Sequence, residues 1–264
     1  MLFTVAFTLS LVMVSTGYTA DGILRLATTT STENSGLLAK LVPQFSDSRG
    51  IPVHVIAVGT GRALNHARNG DVDVVLVHAK NAELDLVNSG FGIERYEVMY
   101  NEFVIAGPET DPAEIGGLTN LGIAFEKIAH SGAPFVSRGD DSGTHKKESQ
   151  IWDEVGIEPN GDWYKEVGLG MGRALQIADE LRAYILTDKG TWLALKRKLS
   201  LPVHVQGTSD GRNDYGIIAV NPEKHSHVNF EAANQFIDWI RSDEAKAVIS
   251  GHKVEGEQLF YVIE

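Results

Sequence analysis

The chain has 264 residues, of which 43% are hydrophobic and 22% charged, a composition that is ordinary for a globular protein of one or two domains. Its formal net charge of -12, with no clustered Lys and Arg, argues against a nucleic-acid partner and requires any anion site to be local and built from fixed donors. The chain contains no cysteine, which excludes disulfides, thiol chemistry and iron–sulfur ligation.

Residues 1–20 are the first distinct segment, an apolar stretch without charge that ends in Ala20 before the polar Asp21. The pattern resembles the hydrophobic region and cleavage site of a secretory signal peptide, although it starts without Lys or Arg and has Tyr18 where a small residue is usual. We therefore expect a periplasmic protein that is cleaved near Ala20, with a membrane anchor as the alternative. No other segment is apolar over the ~20 residues that a spanning helix needs.

Strands and helices alternate along the rest of the chain, which favours a doubly wound α/β fold. The predicted strands are 23–28, 53–58, 73–77, 96–106, 135–137, 183–186 and 215–220. The predicted helices are 37–45, 63–68, 83–88, 118–129, 146–155, 173–181, 191–198, 231–241 and 244–249.

The chain shows no flexible linker and no internal repeat of 20–50 residues, so we expect domain boundaries at crossings of the chain, near 103–108 and 205–214. We predict that residues 21–105 and 208–264 form lobe one and that residues 106–207 form lobe two. In this division the C-terminal segment returns to complete the first lobe.

Three segments rich in hydroxyls and glycine follow predicted strands, at residues 28–32, 59–61 and 137–144. In open α/β sheets ligands bind beyond the carboxyl ends of strands, where helix N-termini present unpaired backbone N–H groups and positive dipole ends. These segments therefore predict a site for a tetrahedral oxyanion. The candidate contacts are Thr29, Thr30, Ser31, Thr60, Gly61, Arg138, Ser142, Gly143 and Thr144.

Arg138 is the one full positive charge expected in this site, and its planar guanidinium suits two-point recognition of an oxyanion. We expect Asp140 and Asp141, which are unfavourable beside an anion, to cap the next helix or to orient Arg138. In the first segment Thr30 and Glu33 have the spacing of a capping box, which predicts Thr30 as the helix cap.

Each of these residues also has a simpler interpretation, since Ser and Thr before a helix are more often caps than ligand contacts. Ser142 follows Asp and precedes Gly, as a serine nucleophile can, but no convincing base and orienting group accompany it, so we expect no enzyme. His78 ends a predicted strand and is interpreted as a core or rim histidine. His225 and His227 predict a polar turn rather than a metal site, so neither a metal ion nor a cofactor is expected.

Longer motifs add a resemblance that covers essentially the whole chain after residue 20. They include LATTTSTENSGLL (26–38), VGTGRAL (58–64), FVSRGDDSGTHKKE (135–148), GMGRAL (170–175) and NDYGIIAVNP (213–222). With these motifs the chain resembles the TupA family, the tungstate-binding proteins of bacterial ABC importers. The resemblance implies a type II periplasmic binding fold, in which two doubly wound α/β lobes close around a central cleft.

The same resemblance implies that the protein captures tungstate and delivers it to the permease of an ABC transporter. We expect no catalysis and a monomeric protein. It assigns Thr30 and Ser31 to a first binding turn, Thr60 and Gly61 to a second, and Arg138, Ser142 and Thr144 to lobe two. The alternatives are molybdate, sulfate or phosphate as the ligand, or a sensor domain of the same fold without transport. Phosphate usually carries a proton, so an inward-pointing Asp140 or Asp141 would favour phosphate over the fully deprotonated tungstate.

Overall fold

The computed structural model describes residues 22–263, so the predicted signal peptide and its cleavage near Ala20 lie outside the described residues. Within residues 22–263 no helix is both long and apolar enough to cross a membrane. The strands are β1 (Leu24–Thr29), β2 (Val53–Val58), β3 (Val74–Val77), β4 (Gly92–Ala106), β5 (Phe135–Ser137), β6 (Tyr164–Glu166), β7 (Ile185–Asp188), β8 (Val203–Val205), β9 (Arg212–Val220), β10 (Lys253–Val254), β11 (Glu257–Gln258) and β12 (Tyr261–Val262). The α-helices are α1 (Thr30–Asn34), α2 (Leu38–Arg49), α3 (Thr60–Asn69), α4 (Lys80–Asn88), α5 (Leu121–Ser131), α6 (Gly143–Glu154), α7 (Met171–Leu181), α8 (Lys189–Leu195), α9 (Phe230–Ile240) and α10 (Asp243–Ser250).

The sheet of lobe one has the order β12, β4, β9, β3, β1, β2. The strand β1 pairs in parallel with both β2 and β3, whereas β9 is antiparallel to β3 and to β4. The carboxyl ends of β1, β2 and β3 therefore lie at one edge of the sheet. Because α1, α3 and α4 follow these strands directly, their N-termini are brought to that same edge.

The strand β4 is shared by the two lobes. Its residues 92–102 pair with β9, and its residues 103–106 pair with β7 and β8. The chain thus enters lobe two along β4 and returns through a 3-10 turn, Ser209–Gly211, into β9. In lobe two β5 runs parallel to β6, and Phe135 bridges in parallel to Tyr184, next to β7.

Each lobe has its own aromatic core. In lobe one the ring of Phe45 meets that of Phe236 edge to face at 4.9 Å, and in lobe two the rings of Phe125 and Trp152 lie 4.4 Å apart. These side chains are at most 2% exposed, and burying a large apolar side chain contributes about 1.5–3 kcal/mol. The two cores are formed by different stretches of the chain, so each lobe is stabilised by its own core.

Three residues pack with the lobe to which the predicted ranges do not assign them. Phe103 and Ile105 belong to the lobe-two core and Leu193 to the lobe-one core, because β4 is continuous and α8 lies between the lobes. Lys196, directly after α8, also forms an ion pair at 3.0 Å with Glu257, near the C-terminus. We retain the boundaries at 105 and 207 as a proposal, with α8 as the element that contacts both lobes.

Candidate anion-binding site

Helices from both lobes begin at one cleft. The N-caps of α1, α3, α6 and α7 are Thr29, Gly59, Ser142 and Gly170. A cavity of about 470 Å³ extends between the first three caps, and a second of about 500 Å³ continues it towards α7 and α8. Thr30 and Arg138 line both cavities, so the two are parts of one cleft.

The structure brings most of the predicted residues to this cleft. Its walls include Thr30, Ser31, Thr60, Gly61, Arg138 and Ser142. Three predicted contacts take other positions: Thr29 and Thr144 are buried behind the walls, and Gly143 lines a neighbouring cavity behind the cleft. We keep these three in the proposed site because they shape the turns that carry the lining residues.

The first turn differs from the predicted capping box. The cap of α1 is Thr29 rather than Thr30, and its hydroxyl accepts a hydrogen bond from the backbone N–H of Thr32 at 3.2 Å. The same Thr29 oxygen lies 2.7 Å from the hydroxyl of Thr32 and 3.0 Å from that of Ser31. Since Thr29 is 4% exposed and Thr30 is exposed, the buried hydroxyl fixes the turn and the next two residues face the cleft.

The second turn begins α3 without a side-chain cap. Gly59 is extended, with φ -68° and ψ 151°, and no side chain accepts from the first N–H groups of the helix. Thr60 is only 2% exposed although it lines the cleft. A helix N-terminus with no side-chain cap offers backbone donors and the positive end of its dipole, which is the arrangement that binds oxyanions.

Arg138 is the charged group that lines the centre of the cleft. Its Nε donates to the carbonyl of Leu169 at 3.3 Å, and its own carbonyl accepts from the N–H of Gly168 at 2.8 Å. Its Nη2 donates to the carboxylate of Asp140, whose other oxygen accepts from the N–H of Ser142 at 3.2 Å. The expectation that an Asp orients Arg138 is confirmed for Asp140.

The third turn begins α6 and lies close to lobe one. The Ser142 hydroxyl accepts from the N–H of His145 at 3.3 Å, so it caps the helix. Gly143 follows, and a Cβ there would lie 3.1 Å from Cε1 of His78 and 3.4 Å from the hydroxyl of Thr60. Glycine at 143 therefore permits an approach between the lobes that a larger side chain would hinder.

Two carboxylates also line the cleft, which corrects the picture of a site made only of donors. Asp140 is paired with Arg138, and Asp141 is paired with Lys146. Each carboxylate is thus neutralised by a cation from its own segment. The Asp141 side chain is 80% exposed, whereas that of Asp140 is 21% exposed, so Asp140 is the acceptor that a bound ligand would meet.

The sequence interpretation missed the α7 end of the cleft. Gly170, Met171, Gly172 and Arg173 line the second cavity, and they belong to the hexapeptide GMGRAL. The same pattern, GTGRAL, starts α3 in lobe one at residues 59–64. Gly170 has φ -61° and ψ 153°, close to the values at Gly59, so both lobes present the same helix start to the cleft. Comparing the two hexapeptides would have revealed this contact.

A buried carboxyl lies behind the third turn. Glu148, on α6, is 1% exposed and accepts from the hydroxyl of Tyr164 at 2.7 Å and from Nε1 of Trp152 at 3.3 Å. Burial raises the pKa of Glu148 to about 7. Because the protonated carboxyl is neutral, it places less negative charge behind the anion site than an ordinary glutamate would.

Within residues 22–263 no group of three or more His, Cys, Asp or Glu is arranged to hold a metal ion. His225 and His227 instead lie 2.8 and 2.9 Å, through their Nε2 atoms, from the backbone carbonyls of residues 68 and 70. His145, the nearest imidazole in sequence to Ser142, has Nδ1 accepting from the N–H of Asp141 at 3.0 Å. Both histidines of the pair are thus hydrogen-bonded to backbone carbonyls, and the Ser142 hydroxyl and His145 Nδ1 each accept from a backbone N–H of their own turn.

Residues 15–244 match the model of the PBP superfamily domain. The chain is 46% identical over 245 residues to the tungstate-binding protein TupA of Peptoclostridium acidaminophilum, covering 91% of this chain and 86% of that protein. A solved structure of TupA from Desulfovibrio alaskensis G20 matches with a TM-score of 0.83 and 42% identity over 91% of this chain and 98% of that one. The structure of the tungstate ABC transporter from Geobacter sulfurreducens matches with a TM-score of 0.80 and 48% identity, covering 86% of this chain and 97% of that one.

These matches confirm the family and the periplasmic binding fold that the motifs predicted. Their coverage is nearly complete in both directions, so the similarity extends over both lobes and the cleft. The chain belongs to the PBP superfamily and, within it, to the TupA family of solute-binding proteins.

Proposed function

We propose that this protein is an extracytoplasmic solute-binding protein that captures tungstate in the cleft and delivers it to an ABC importer. The observation that carries the proposal is the convergence of helix N-termini from both lobes on one cavity that Arg138 also lines. Relatives named tungstate-binding proteins, at 46% and 36% identity over most of the chain, support the choice of ligand. Tungstate is here the cargo, and no cofactor is needed.

The proposed ligand contacts fall on both sides of the cleft. Lobe one supplies the turns at 29–31 and 60–61, and lobe two supplies Arg138 and the turn at 142–144. Charge-assisted hydrogen bonds contribute about 1.5–3 kcal/mol each, so several preorganised bonds reach the roughly -12 kcal/mol of nanomolar binding. Because the contacts come from both lobes, the ligand stabilises the closed cleft.

The proposed role is binding and release without catalysis. Ser142 is engaged as a helix cap, and the homologous proteins are named for binding and transport. We propose a periplasmic, monomeric protein whose partner is the transporter permease, and we propose no nucleic-acid partner. The signal peptide at residues 1–20 remains a prediction, and sequencing the N-terminus of the exported protein would test cleavage near Ala20.

Phosphate is the second candidate, and one observation favours it. Asp140 lines the cleft with a carboxylate that could accept the proton of hydrogen phosphate. Both of its oxygens are already engaged, by Arg138 and by the N–H of Ser142, so tungstate, which carries no proton, remains the better fit.

Competitive titration calorimetry with tungstate, molybdate, sulfate and phosphate tests the proposal. We expect nanomolar tungstate binding, with sulfate and phosphate at least 100-fold weaker. Tungstate that binds more weakly than phosphate would overturn the assignment. The variant Asp140→Asn separates the candidates further, because it removes a proton acceptor that phosphate uses and tungstate does not.

A further inference from the structure

His78 lies at the junction of the two lobes, although the sequence suggested only a core or rim residue. It follows β3, is 7% exposed, and places Nε2 3.2 Å from the hydroxyl of Thr29 and 3.4 Å from that of Ser31. On its other side a Cβ at Gly143 would lie 3.1 Å from its Cε1. The imidazole therefore contacts the first binding turn of lobe one and the start of α6 in lobe two.

A chain of buried amides connects the ring to the strands that cross between the lobes. The Nδ1 atom of His78 is 3.1 Å from Oδ1 of Asn213 on β9. The amide nitrogen of Asn213 donates to Asn101 on β4 at 2.6 Å, and that of Asn101 donates to the hydroxyl of Tyr215 at 3.3 Å. Asn101 and Asn213 are 1% and 3% exposed. Since β4 and β9 carry the chain between the lobes, this relay ends beside the crossing of the chain between the lobes, which we call the hinge.

The relay fixes where the proton of His78 lies. Because Asn213 donates its amide to Asn101, its oxygen faces His78 and must accept from an N–H at Nδ1. Burial lowers the pKa of His78 below its usual 6.5, so the ring is neutral and Nε2 is an acceptor. Among the hydroxyls of the first turn, Thr29 at 3.2 Å is the closer donor to Nε2.

With the single Thr29 proton directed to Nε2, the Thr29 oxygen accepts from the Ser31 hydroxyl at 3.0 Å, and this Ser31 proton is the one that a bound oxyanion would draw towards itself. The Thr29 oxygen already accepts from the N–H of Thr32, and the hydroxyl of Thr32 in turn is hydrogen-bonded to Tyr215. Tyr215 also packs on the imidazole, with ring centroids 4.7 Å apart. The orientation of His78 is therefore determined jointly by the turn that meets the anion and by the crossing strands.

We propose that His78 is a positioning residue that couples oxyanion binding at the first turn to closure of the lobes, an inference that rests on the proposed function. A bound oxyanion that accepts from Ser31 leaves Thr29 as the donor to Nε2. The ring is then held against Tyr215, and its Cε1 edge forms the surface on which Gly143 rests in the closed protein. A histidine with a purely structural role would need neither contact with lobe two nor the link to the hinge.

The test compares His78→Phe with a matched control, His252→Phe. Phenylalanine keeps the packing on Tyr215 but has no ring nitrogen. His252 is also a buried histidine of lobe one, 3% exposed, but its Nε2 contacts the carbonyl of Ser35 and lies outside the relay. Tungstate affinity is measured by calorimetry, and closure by the distance between spin labels. The chain has no cysteine of its own, so the labels are placed at Lys40→Cys and Glu180→Cys, on exposed sites of opposite lobes.

We expect His78→Phe to bind tungstate at least 10-fold more weakly and to lose most of the ligand-induced shortening, while His252→Phe binds and closes as the wild type does. Wild-type affinity and closure in His78→Phe, or equal losses in both variants, would overturn the inference. If His78→Phe does not fold, Asn213→Leu replaces it, with the same expected losses. The imidazole nitrogen shifts of His78 should then also lose the Nδ1–H signature seen in the wild type. Wild-type protein that binds none of the four oxyanions would overturn the proposed function itself.

Discussion

The two sides of the cleft are built to contact an anion in different ways. Lobe one presents hydroxyls and an uncapped helix start, supported from behind by the neutral His78. Lobe two presents the guanidinium of Arg138, already paired with Asp140, and a capped helix start at Ser142. Lobe one thus supplies neutral donors in a rigid network, whereas lobe two supplies the charge.

The difference has a physical reason. A full charge that stayed buried without a partner in the open protein would be costly, and Asp140 prevents this for Arg138. Neutral hydroxyls need no counter-charge, so lobe one can hold them in fixed positions before the ligand arrives. Substitutions on the two sides of the cleft should therefore differ in size and kind of effect.

Replacing Arg138 with Ala should have the largest effect, because a bound dianion loses its charge partner. We expect a loss of about 3–5 kcal/mol in tungstate binding, or more than 100-fold in the dissociation constant. Calorimetry measures the change. The variant Arg138→Lys keeps the charge but loses the planar fork, so its affinity for tungstate should lie between those of the wild type and Arg138→Ala. Unchanged affinity in Arg138→Ala would show that lobe two does not supply the charge.

Replacing Gly143 with Val should impair closure rather than the contacts of the open lobes. The first Cβ would already lie 3.1 Å from His78, so a branched side chain must push the lobes apart. We expect a loss of about 1–3 kcal/mol in tungstate binding, the usual range for overpacking. The melting temperature without ligand should change little, and unchanged tungstate affinity by calorimetry would contradict the prediction.

Ser31→Ala and Thr29→Val should separate ligand contact from support within lobe one. Ser31→Ala removes a proposed donor, and we expect about 1 kcal/mol less binding energy with unchanged stability. Thr29→Val removes the cap of α1, which typically costs about 1 kcal/mol of unfolding free energy, and it disturbs the contact with His78 as well. Denaturation measures the stability of both variants, and calorimetry measures their tungstate affinity. An equal loss of stability in the two would contradict the separate roles of Ser31 and Thr29.

Glu148→Gln should change the pH dependence of stability. The folded pKa of Glu148 is raised to about 7 from the usual 4.5. The folded protein therefore binds the proton more tightly than the unfolded chain, so this contribution is complete below pH 4.5 and is lost as pH rises through 7. Between pH 5 and pH 8 the unfolding free energy of the variant, relative to that of the wild type, should rise by on the order of 1–3 kcal/mol. Denaturation at both pH values measures the gain, and parallel curves would contradict the shifted pKa.

The smallest effects should come from the two exposed arginines of the repeated hexapeptide, Arg62 and Arg173. Both line the cleft, but neither is enclosed by it, so solvent screens their charges. We expect each change to Ala to weaken tungstate binding by about threefold or less at physiological salt. A tenfold loss in either variant would mean that the closed cleft excludes more solvent around that residue.

Much of the fold was readable from the sequence because its long strands are apolar and alternate with helices. Strand β1 was predicted at 23–28 and found at Leu24–Thr29, and β9 was predicted at 215–220 and found at Arg212–Val220. Strands β10, β11 and β12 were missed because two residues carry no periodic signal. Helix α6 begins at 143 rather than 146 because Ser142 caps it, a contact that hydrophobic periodicity does not register.

The site was readable only where its residues are neighbours in the sequence. The turn at 29–31 and the loop at 138–144 are recognisable from their content of hydroxyl residues and glycine, and both reach the cleft. The relay from Thr29 through His78 to Asn213 joins residues 49 and 135 positions apart, and a single sequence offers no signal for such pairing. The pairing of Asp141 with Lys146 depends on the local fold of the loop, which composition does not fix.

The shared strand β4 couples the unfolding of the two lobes. Within lobe two β4 lies between β7 and β8 and pairs with both, so without it these two strands have no shared partner. A fragment of residues 107–207 would lack that strand and expose two unpaired edges, which favours aggregation over folding. Melting of either lobe must therefore disrupt the other, and calorimetric unfolding should approach a single cooperative transition despite the two separate cores.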